Sequence, residues 1–503
     1  MPTSRTLIVC CAAALALLPG AMARAAASEP RLVTAVKAGD HETLRTTLKR
    51  PGVDANVREV DGTTPLHWAA RGDDGEAVRL LLKAGARADV VNRYGVTPIG
   101  LAAANGNAAI VDALIVAGAD PNTTPPAGEP VLMTAARAGS VDTVNCLIDR
   151  GADVNARERW LGETALMWAA AGNHADVAKA LIQHGAEVDA RSHPADFPRR
   201  QTGLVVLPRG SWTAVMYAAR QGAEDAARVL SEAGANLNLT DPDGTTALVL
   251  AIINAHYDTA KVLVEKGADP NIADTTGMAA LYAAADMSTL PWMFGRNAPN
   301  TADKATCLEI MTLLLDRGAN PNAKLTSVLM QRTHTTGDTA LGEGSTPFMR
   351  AAKAADLPVM KLLIERGGDP LATEKNHTTA MMLLAGQGWR DGNAAIPTRD
   401  RGTVEDAITA IGMLLDKGAD VNAVNDAGDT AMHAAAFRGS TNIIKFLLSK
   451  QANLRAKNKQ GRTPLDTALS RRGASAVPAA VALLQELTGE KGTPPAGPAP
   501  AAE

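Results

Sequence analysis

The sequence has few aromatic side chains, few cysteines and no excess of positive charge. Phe, Trp and Tyr together make up 3% of the 503 residues, so an aromatic residue outside a packing position is informative. Beyond the N-terminus, no apolar stretch approaches the roughly 20 residues that cross a bilayer. The formal charge is −3, which lacks the basic excess that contacts with nucleic-acid phosphates require. These absences argue against a membrane-spanning or a nucleic-acid-binding protein.

The N-terminus has the pattern of a secretory signal peptide. Arg5 precedes an apolar stretch, Leu7–Leu18, and small residues follow it. Cleavage is expected between about Ala23 and Ala27. Residues 1–27 are therefore predicted to be a removable leader, and the mature protein is predicted to be periplasmic or extracellular.

Two short phrases recur along the rest of the chain. The first reads Gly-Ala-X-X-Asn and starts, among other places, at Gly118, Gly151, Gly267, Gly318 and Gly418. The second leads each repeat and is clearest at residues 62–70, which read Gly-Thr-Thr-Pro-Leu-His-Trp-Ala-Ala. Leading glycines stand at positions 62, 95, 128 and 162, so the spacing is nearly constant. This period of about 33 residues and this wording resemble the ankyrin repeat, which joins a turn to two short helices.

The residues of one repeat predict the same structure on physical grounds. Thr64 can cap a helix, and Pro65 suits the first helical position because no amide partner is lost there. Val78 and Leu81 have the spacing of one face of a second helix. Gly85 can end that helix in the left-handed conformation. A single unit of this kind has too little apolar surface to be stable alone, so neighbouring repeats must stack.

We count twelve repeats between residues 30 and 488. The first, about residues 30–59, lacks the turn phrase and has a charged second helix, as a terminal cap should. Repeats 2 to 12 are led by positions 62, 95, 128, 162, 211, 244, 277, 344, 377, 428 and 461. Ser211 and His377 replace the leading glycine of repeats 6 and 10. The resemblance implies an all-α ankyrin-repeat solenoid with short β-turn fingers, followed by a disordered Pro/Ala-rich tail at residues 489–503.

Four insertions of about 16 to 18 residues interrupt the period. They span about residues 192–209, 286–303, 324–343 and 386–403. The first and third fall in turn fingers, and the other two fall between the two helices of repeats 8 and 10. The long interval from Gly277 to Gly344 is close to two periods, so it also admits a hidden degenerate repeat. Only one second-helix pattern, Leu308–Gly318, occurs in that span, which favours two insertions in one repeat.

The finger insertion before repeat 6 contains candidate partner-binding residues. Phe197, Arg199 and Arg200 combine apolar contact with arginine pairing, a mixture suited to an interface. The alternative is a solvated loop that folds onto its own repeat.

The helix-to-helix insertions contain the other candidates. Trp292, Met293 and Phe294 lie in one and Trp389 lies in the other, and no repeat position accounts for them. We expect them to pack on each other over the turn of repeat 9 or to pack against a partner, because exposed apolar patches mark contact sites.

The sequence has no motif of a catalytic, cofactor or metal site. It contains no GxSxG, no P-loop and no GxGxxG opening a helix. His67 and His433 stand where the family that the sequence resembles usually has a structural histidine, and the other histidines lack metal-ligand spacing. We therefore expect no enzymatic activity, no cofactor and no metal.

Cys146 and Cys307 are the two cysteines of the mature chain, and an exported protein meets oxidising conditions. They lie four repeats apart, which is roughly 35 Å at the usual distance between stacked helices. A disulfide needs Cα atoms within about 7 Å. We therefore expect no disulfide between them.

The resemblance implies a scaffold that binds another protein. Its partner would be an exported enzyme that the array supports or inhibits. A passive structural spacer and an enzyme are the alternatives. Irregular insertions favour binding, because a spacer needs only regular repeats.

One intact mass tests the leader and the thiols together. Protein recovered from the exported fraction should lack its first 23 to 27 residues. Cys146 and Cys307 should both react with an alkylating reagent without prior reduction. A full-length mass, or a peptide linking the two cysteines, would contradict these expectations.

Overall fold

The computed structural model describes residues 29–124, 128–195, 209–289, 302–328, 341–386, 402–470 and 477–492. It divides into two compact units, residues 1–195 with 210–236 and residues 196–209 with 237–503. Within each unit the described repeats are pairs of helices joined by a short turn. The predicted all-α repeat architecture is confirmed.

The first unit contains the helix pairs of repeats 1 to 6. These are α1 (Glu29–Ala38), α2 (His41–Leu48), α3 (Pro65–Arg71), α4 (Gly75–Lys83), α5 (Pro98–Asn105), α6 (Ala108–Val116), α7 (Val131–Ala138), α8 (Val141–Asp149), α9 (Ala165–Ala171), α10 (Ala175–Gln183), α11 (Ala214–Gln221) and α12 (Glu224–Glu232). Two short strands, β1 (Pro194–Ala195) and β2 (Arg209–Gly210), pair at the base of the finger insertion.

The second unit contains the helix pairs of repeats 7 to 12. These are α13 (Ala247–Ile253), α14 (Tyr257–Glu265), α15 (Ala280–Thr289), α16 (Cys307–Asp316), α17 (Pro347–Lys353), α18 (Leu357–Glu365), α19 (Ala380–Ala385), α20 (Val404–Asp416), α21 (Ala431–Arg438), α22 (Thr441–Ser449), α23 (Pro464–Leu469) and α24 (Val477–Thr488).

Threonine caps start most of the first helices. The side chain of Thr97, for example, accepts a hydrogen bond from the backbone N–H of Gly100 at 3.2 Å. This satisfies one of the backbone donors that have no partner inside the helix. Ser211 and His377 adopt φ values of 52° and 61°, so the turns of repeats 6 and 10 form without the leading glycine.

Consecutive first helices pack directly against one another within each unit. Most first helices contain two adjacent small residues that are fully buried, such as Ala69 and Ala70 of α3 and Ala102 and Ala103 of α5. Methyl side chains let the helix backbones approach closely, which leaves few voids.

Where the last residue of the Gly-Ala-X-X-Asn phrase is asparagine, its side chain can tie one repeat to the next. In repeat 7, the Nδ2 of Asn271 donates to the carbonyl oxygen of Gly318 at 2.9 Å, and its Oδ1 accepts from the backbone N–H of Asn320 at 2.8 Å. The same pair of bonds is made by Asn56, Asn122, Asn155 and Asn322. The recurring asparagine therefore has a structural role, since it forms a bond between repeats.

The insertion in repeat 8 starts later than the sequence indicated. We expected it from about Asp286, but α15 continues as helix to Thr289. In the described part of the span from Gly277 to Gly344, α15 and α16 form one helix pair. Residues 290–301 and 329–340 lie outside the described residues, so the hidden-repeat alternative stays open.

We expect Asn271→Ala to lower the free energy of unfolding by about 1–3 kcal/mol. The substitution removes two bonds between repeats, and each such bond contributes on the order of 1 kcal/mol. Urea unfolding followed by circular dichroism measures the change.

The matched control is Asn442→Ala, in the same compact unit. Asn442 is exposed in the first turn of α22, so its loss should change the unfolding midpoint little. Equal effects of the two substitutions would show that the asparagine bridge does not hold the repeats in register.

Candidate functional site

One position of the first helix remains half-exposed in every repeat from 2 to 6. It lies six residues after the leading position and directly before the two buried small residues. We call the five side chains at this position the first-helix face. They are Trp68, Leu101, Thr134, Trp168 and Tyr217. Two tryptophans, a leucine and a tyrosine thus belong to this face of the first compact unit.

Arginines stack on the tryptophans of this face. The guanidinium group of Arg71 lies 5.4 Å from the ring centre of Trp68, and that of Arg137 lies 5.3 Å from the ring centre of Trp168. Lys37 approaches Trp68 as well, at 4.2 Å. These distances are in the range of cation–π attraction, so the rings and the cations hold one another in place.

Repeat 6 continues this pattern with one more aromatic ring. Trp212 and Tyr217 contact each other edge to face, with ring centres 5.4 Å apart. Arg220 lies 5.3 Å from the ring centre of Trp212. This arrangement extends the aromatic surface to α11.

A buried glutamate binds the hydroxyl of Tyr217. The hydroxyl of Tyr217 donates to the carboxylate of Glu163 at 2.5 Å. Burial raises the pKa of Glu163, the nearby charge of Glu158 adds to the rise, and the bond from Tyr217 opposes it. Burial and the same bond raise the pKa of Tyr217. The pair fixes the orientation of the ring, and the hydroxyl remains protonated.

Two further glutamates bind side chains of the first-helix face, in repeats 2 and 4, and the cations beside them. Glu59 accepts from the indole N–H of Trp68 and from Lys37, both at 2.6 Å. Glu129 accepts from the hydroxyl of Thr134 at 2.9 Å and lies 3.3 Å from Arg137. Both carboxylates therefore already bind side chains of the same surface.

The turn fingers of the same unit end in exposed apolar side chains. Val60, Tyr94 and Trp160 are 88%, 73% and 71% exposed, and Leu161 is partly exposed. We call these four residues the finger tips. Large apolar side chains that recur in the turns of one unit are typical of a contact site.

The second compact unit differs at the same helix position. Its side chains there are buried throughout the described repeats. They are Leu250, Ala283, Arg350, Leu383, Ala434 and Thr467. Arg350 is 1% exposed, and its Nε donates to Asp286 at 2.7 Å. The half-exposed aromatic surface is thus a property of the first unit.

The candidate residues named from the insertions lie outside the described residues. These are Phe197, Arg199, Arg200, Trp292, Met293, Phe294 and Trp389. Their roles in partner binding stay predictions.

The described ends of the two helix-to-helix insertions both contact the turn of repeat 9. The hydroxyl of Ser288 donates to Asp356 at 2.7 Å, and the backbone N–H of Gly402 donates to the carbonyl oxygen of Ala354 at 2.9 Å. Asp356 also caps α18 by accepting from Val359. One insertion therefore begins and the other ends beside the same turn, and the packing of their residues over repeat 9 stays a prediction.

His67 and His433 are structural. In repeat 2, the backbone N–H of Thr64 donates to Nδ1 of His67 at 3.2 Å, and Nε2 donates to the carbonyl oxygen of Val96 at 3.0 Å. Burial lowers the pKa of both histidines, so each is neutral and bridges two repeats. Within the described residues, no group of side chains has the geometry of a metal site.

The described helices include none that is long and apolar enough to cross a membrane.

The thiols of the two cysteines contact backbone carbonyls within their own units. Cys146 Sγ lies 3.8 Å from the oxygen of Ala108, and Cys307 Sγ lies 3.1 Å from that of Ala284.

Sequence reasoning missed the first-helix face, although a signal was present. Four of the six tryptophans belong to the first unit, and Trp68 and Trp168 occupy the same repeat position. Arg71, Arg137 and Arg220 also share one position, three residues later. Aligning the repeats column by column would have found both columns.

We expect Glu163→Gln to gain stability over the wild type as the pH rises. Because its folded-state pKa is raised, the native carboxyl keeps its proton to a higher pH than the unfolded one does. Stability from this group is therefore full below the ordinary pKa of about 4.3 and is lost as the pH rises through the raised value. Glutamine does not ionise and still accepts from Tyr217.

Urea midpoints between pH 4 and pH 8 measure this difference. Glu187→Gln, at an exposed site, is the control and should follow the wild type. Parallel pH profiles for wild type and Glu163→Gln would show that Glu163 does not ionise in a buried setting.

Comparison with known proteins identifies the repeats. The family model for ankyrin repeats (3 copies) matches residues 32–125, 100–192, 205–274 and 404–490, and the model for the ankyrin repeat matches residues 343–375. The ankyrin repeat and KH domain-containing protein mask of Drosophila melanogaster is 49% identical over 55 residues, 10% of this chain and 1% of that protein. Delta-latroinsectotoxin-Lt1a of Latrodectus tredecimguttatus is 40% identical over 78 residues, 15% of this chain and 6% of the toxin.

The chain thus spans a small part of the length of the curated relatives that it matches. The family models, by contrast, cover more than half of the chain. With its helix pairs, turn phrases and stacked first helices, the chain belongs to the ankyrin-repeat family.

Proposed function

We propose that this chain is an exported scaffold that binds another protein through the first-helix face and the finger tips of its first compact unit. The observation that carries the proposal is the row of half-exposed side chains in repeats 2 to 6, four of which are aromatic or apolar. Side chains that served only the packing of repeats would be buried, as they are at the same position of the second unit.

The chemistry of this surface fits a protein partner. Tryptophan, tyrosine and arginine are the residues that most often dominate the binding energy of interfaces. Trp168 and Tyr217 are held by stacking and hydrogen bonding, so little side-chain freedom remains to be lost on binding. A rigid aromatic surface of this kind supports tight binding from a modest contact area.

Export is supported by the leader pattern at residues 1–27, which lie outside the described residues. In that compartment the scaffold would bind an exported enzyme and support or inhibit it. A repeat array suits this role because it offers an extended surface that is held rigid by its own stacking. This step is a proposal from the sequence.

A passive spacer is the second candidate function. It would need only regular stacking, and it gives no reason for Tyr94 and Trp160 to extend into solvent at 73% and 71% exposure. The enzyme alternative has no motif in the sequence to support it, and buried carboxylates of the described residues bind local side chains, as Glu163 binds Tyr217 and Asp286 binds Arg350.

We expect the double variant Tyr94→Ala and Trp160→Ala to capture its partner at least 10-fold more weakly than the wild type. Truncating an aromatic residue that is an interface hot spot costs about 2 kcal/mol or more, which is more than a 10-fold change in affinity. The measurement is quantitative capture from an extract of exported proteins by the immobilised mature chain.

Val116→Ala is the matched control. Val116 is 68% exposed at the end of α6, away from the first-helix face, so its capture should equal that of the wild type. Because both sites are exposed, melting temperatures should stay unchanged. Equal capture by the double variant and the wild type would contradict the proposed surface, and failure to enrich any partner would contradict the scaffold function.

A further inference from the structure

Three arginines of the first compact unit recur with the same spacing. Arg71, Arg137 and Arg220 each lie nine residues after the leading position, in repeats 2, 4 and 6. All three are exposed, and all three stack on a tryptophan. Repeats 3 and 5 have alanine at this position, Ala104 and Ala171. The cations therefore alternate along the surface.

Stacking leaves the binding edge of each guanidinium group open. A guanidinium group that stacks on a ring has one flat face covered, whereas its N–H donors lie in its plane and point outward. Arg137 has one acidic neighbour, Glu129, at 3.3 Å. Among the described residues, neither Arg71 nor Arg220 forms an ion pair. A carboxylate approaching in the plane could accept two parallel hydrogen bonds from such a group.

The acidic groups of the same surface compensate only part of these charges, through the pair of Glu129 with Arg137. Glu59 is bound by Lys37 and by the indole of Trp68, and Glu163 is buried beneath Tyr217. What the surface presents to a partner is therefore aromatic and positive, although the whole chain has a formal charge of −3. The positive charge is local, and its position is set by the position of the arginines within the repeat.

The period of the repeats sets the distance between the cations. Stacked helices lie about 10 Å apart, so arginines two repeats apart are roughly 20 Å apart. An extended peptide advances about 3.3 Å per residue, so about six residues cover that distance. Leu101 and Trp168 lie in the repeats between and offer apolar contacts.

We propose that the first-helix face binds an extended acidic segment of another protein, with carboxylates about six residues apart at Arg71, Arg137 and Arg220. Apolar side chains of the segment lie on Trp68, Leu101 and Trp168 between these points. The inference rests on the proposed protein-binding function and names the chemistry of its partner.

The test uses the full mature chain and fluorescein-labelled peptides of about 18 residues, a length that in extended form passes all three arginines. The first peptide has Glu at positions 2, 8 and 14 and Leu at positions 5 and 11 in a Gly/Ser background. The second has Gln in place of Glu, and the third has the same composition with Glu at positions 2, 4 and 6. Fluorescence anisotropy gives the dissociation constants.

We expect the first peptide to bind on the order of 10-fold or more tightly than either of the others, and its binding to weaken with added salt. The triple variant Arg71→Gln, Arg137→Gln and Arg220→Gln should weaken it on the order of 100-fold, and each single variant by about 3- to 10-fold.

A second triple variant separates position from net charge. Arg87→Gln, Arg150→Gln and Arg228→Gln removes the same charge from arginines that pair with local carboxylates. It should change the affinity less than 2-fold. Circular dichroism and melting temperature check that both variants fold.

Three results would overturn the inference. They are equal weakening by the two triple variants, equal binding of the three peptides, and equally tight binding of a dT20 oligonucleotide, which would show attraction to any polyanion. If the finger-tip variants lose partner capture while no acidic peptide binds, the protein-binding function stands and the acidic segment is wrong. If neither capture nor peptide binding occurs, both fail.

Discussion

The close contact between neighbouring first helices is the constraint on which the rest of the structure depends. No single helix pair of about 30 residues can bury enough apolar surface to be stable, so each repeat must be covered by the next. The pair of small residues at the centre of most first helices, such as Ala135 and Ala136, makes this possible because larger side chains would separate the helices. The asparagine bridge then fixes one repeat on the next in a single register.

This packing also decides which side chains can serve a function. In the first unit the two small residues are buried in the stack, the residue before them lies at its edge, and the residue directly after them is exposed or partly exposed. In the first unit these two columns hold aromatic residues and arginines. They can vary without disturbing the stack, so the surface and the fold are set by different positions of the same helix.

Much of the fold could be predicted from the sequence, because its signals are local. Thr64-Pro65 starts a helix and Gly85 ends one whatever the neighbours are, and the regular period then places the later pairs. The extension of α15 could not be predicted in this way. Its last turn contains Ser288, which donates to Asp356, a residue 68 positions away in the sequence. The candidate site was harder to predict than the fold, because the exposure of a side chain depends on its neighbours rather than on its residue type. Trp68 and Arg350 occupy the same repeat position. The tryptophan is half-exposed, yet the arginine is buried against Asp286.

The central claim is that a partner protein covers the first-helix face and finger tips of the first compact unit. Hydroxyl-radical footprinting of the chain with and without its captured partner tests this most directly, because exposed tryptophan and tyrosine react fastest. The account predicts several-fold slower oxidation of Tyr94, Trp160 and Trp68 in the complex, with Leu308 and Val116 unchanged. Protection confined to second helices, with Tyr94 and Trp160 as reactive as in the isolated chain, would contradict it.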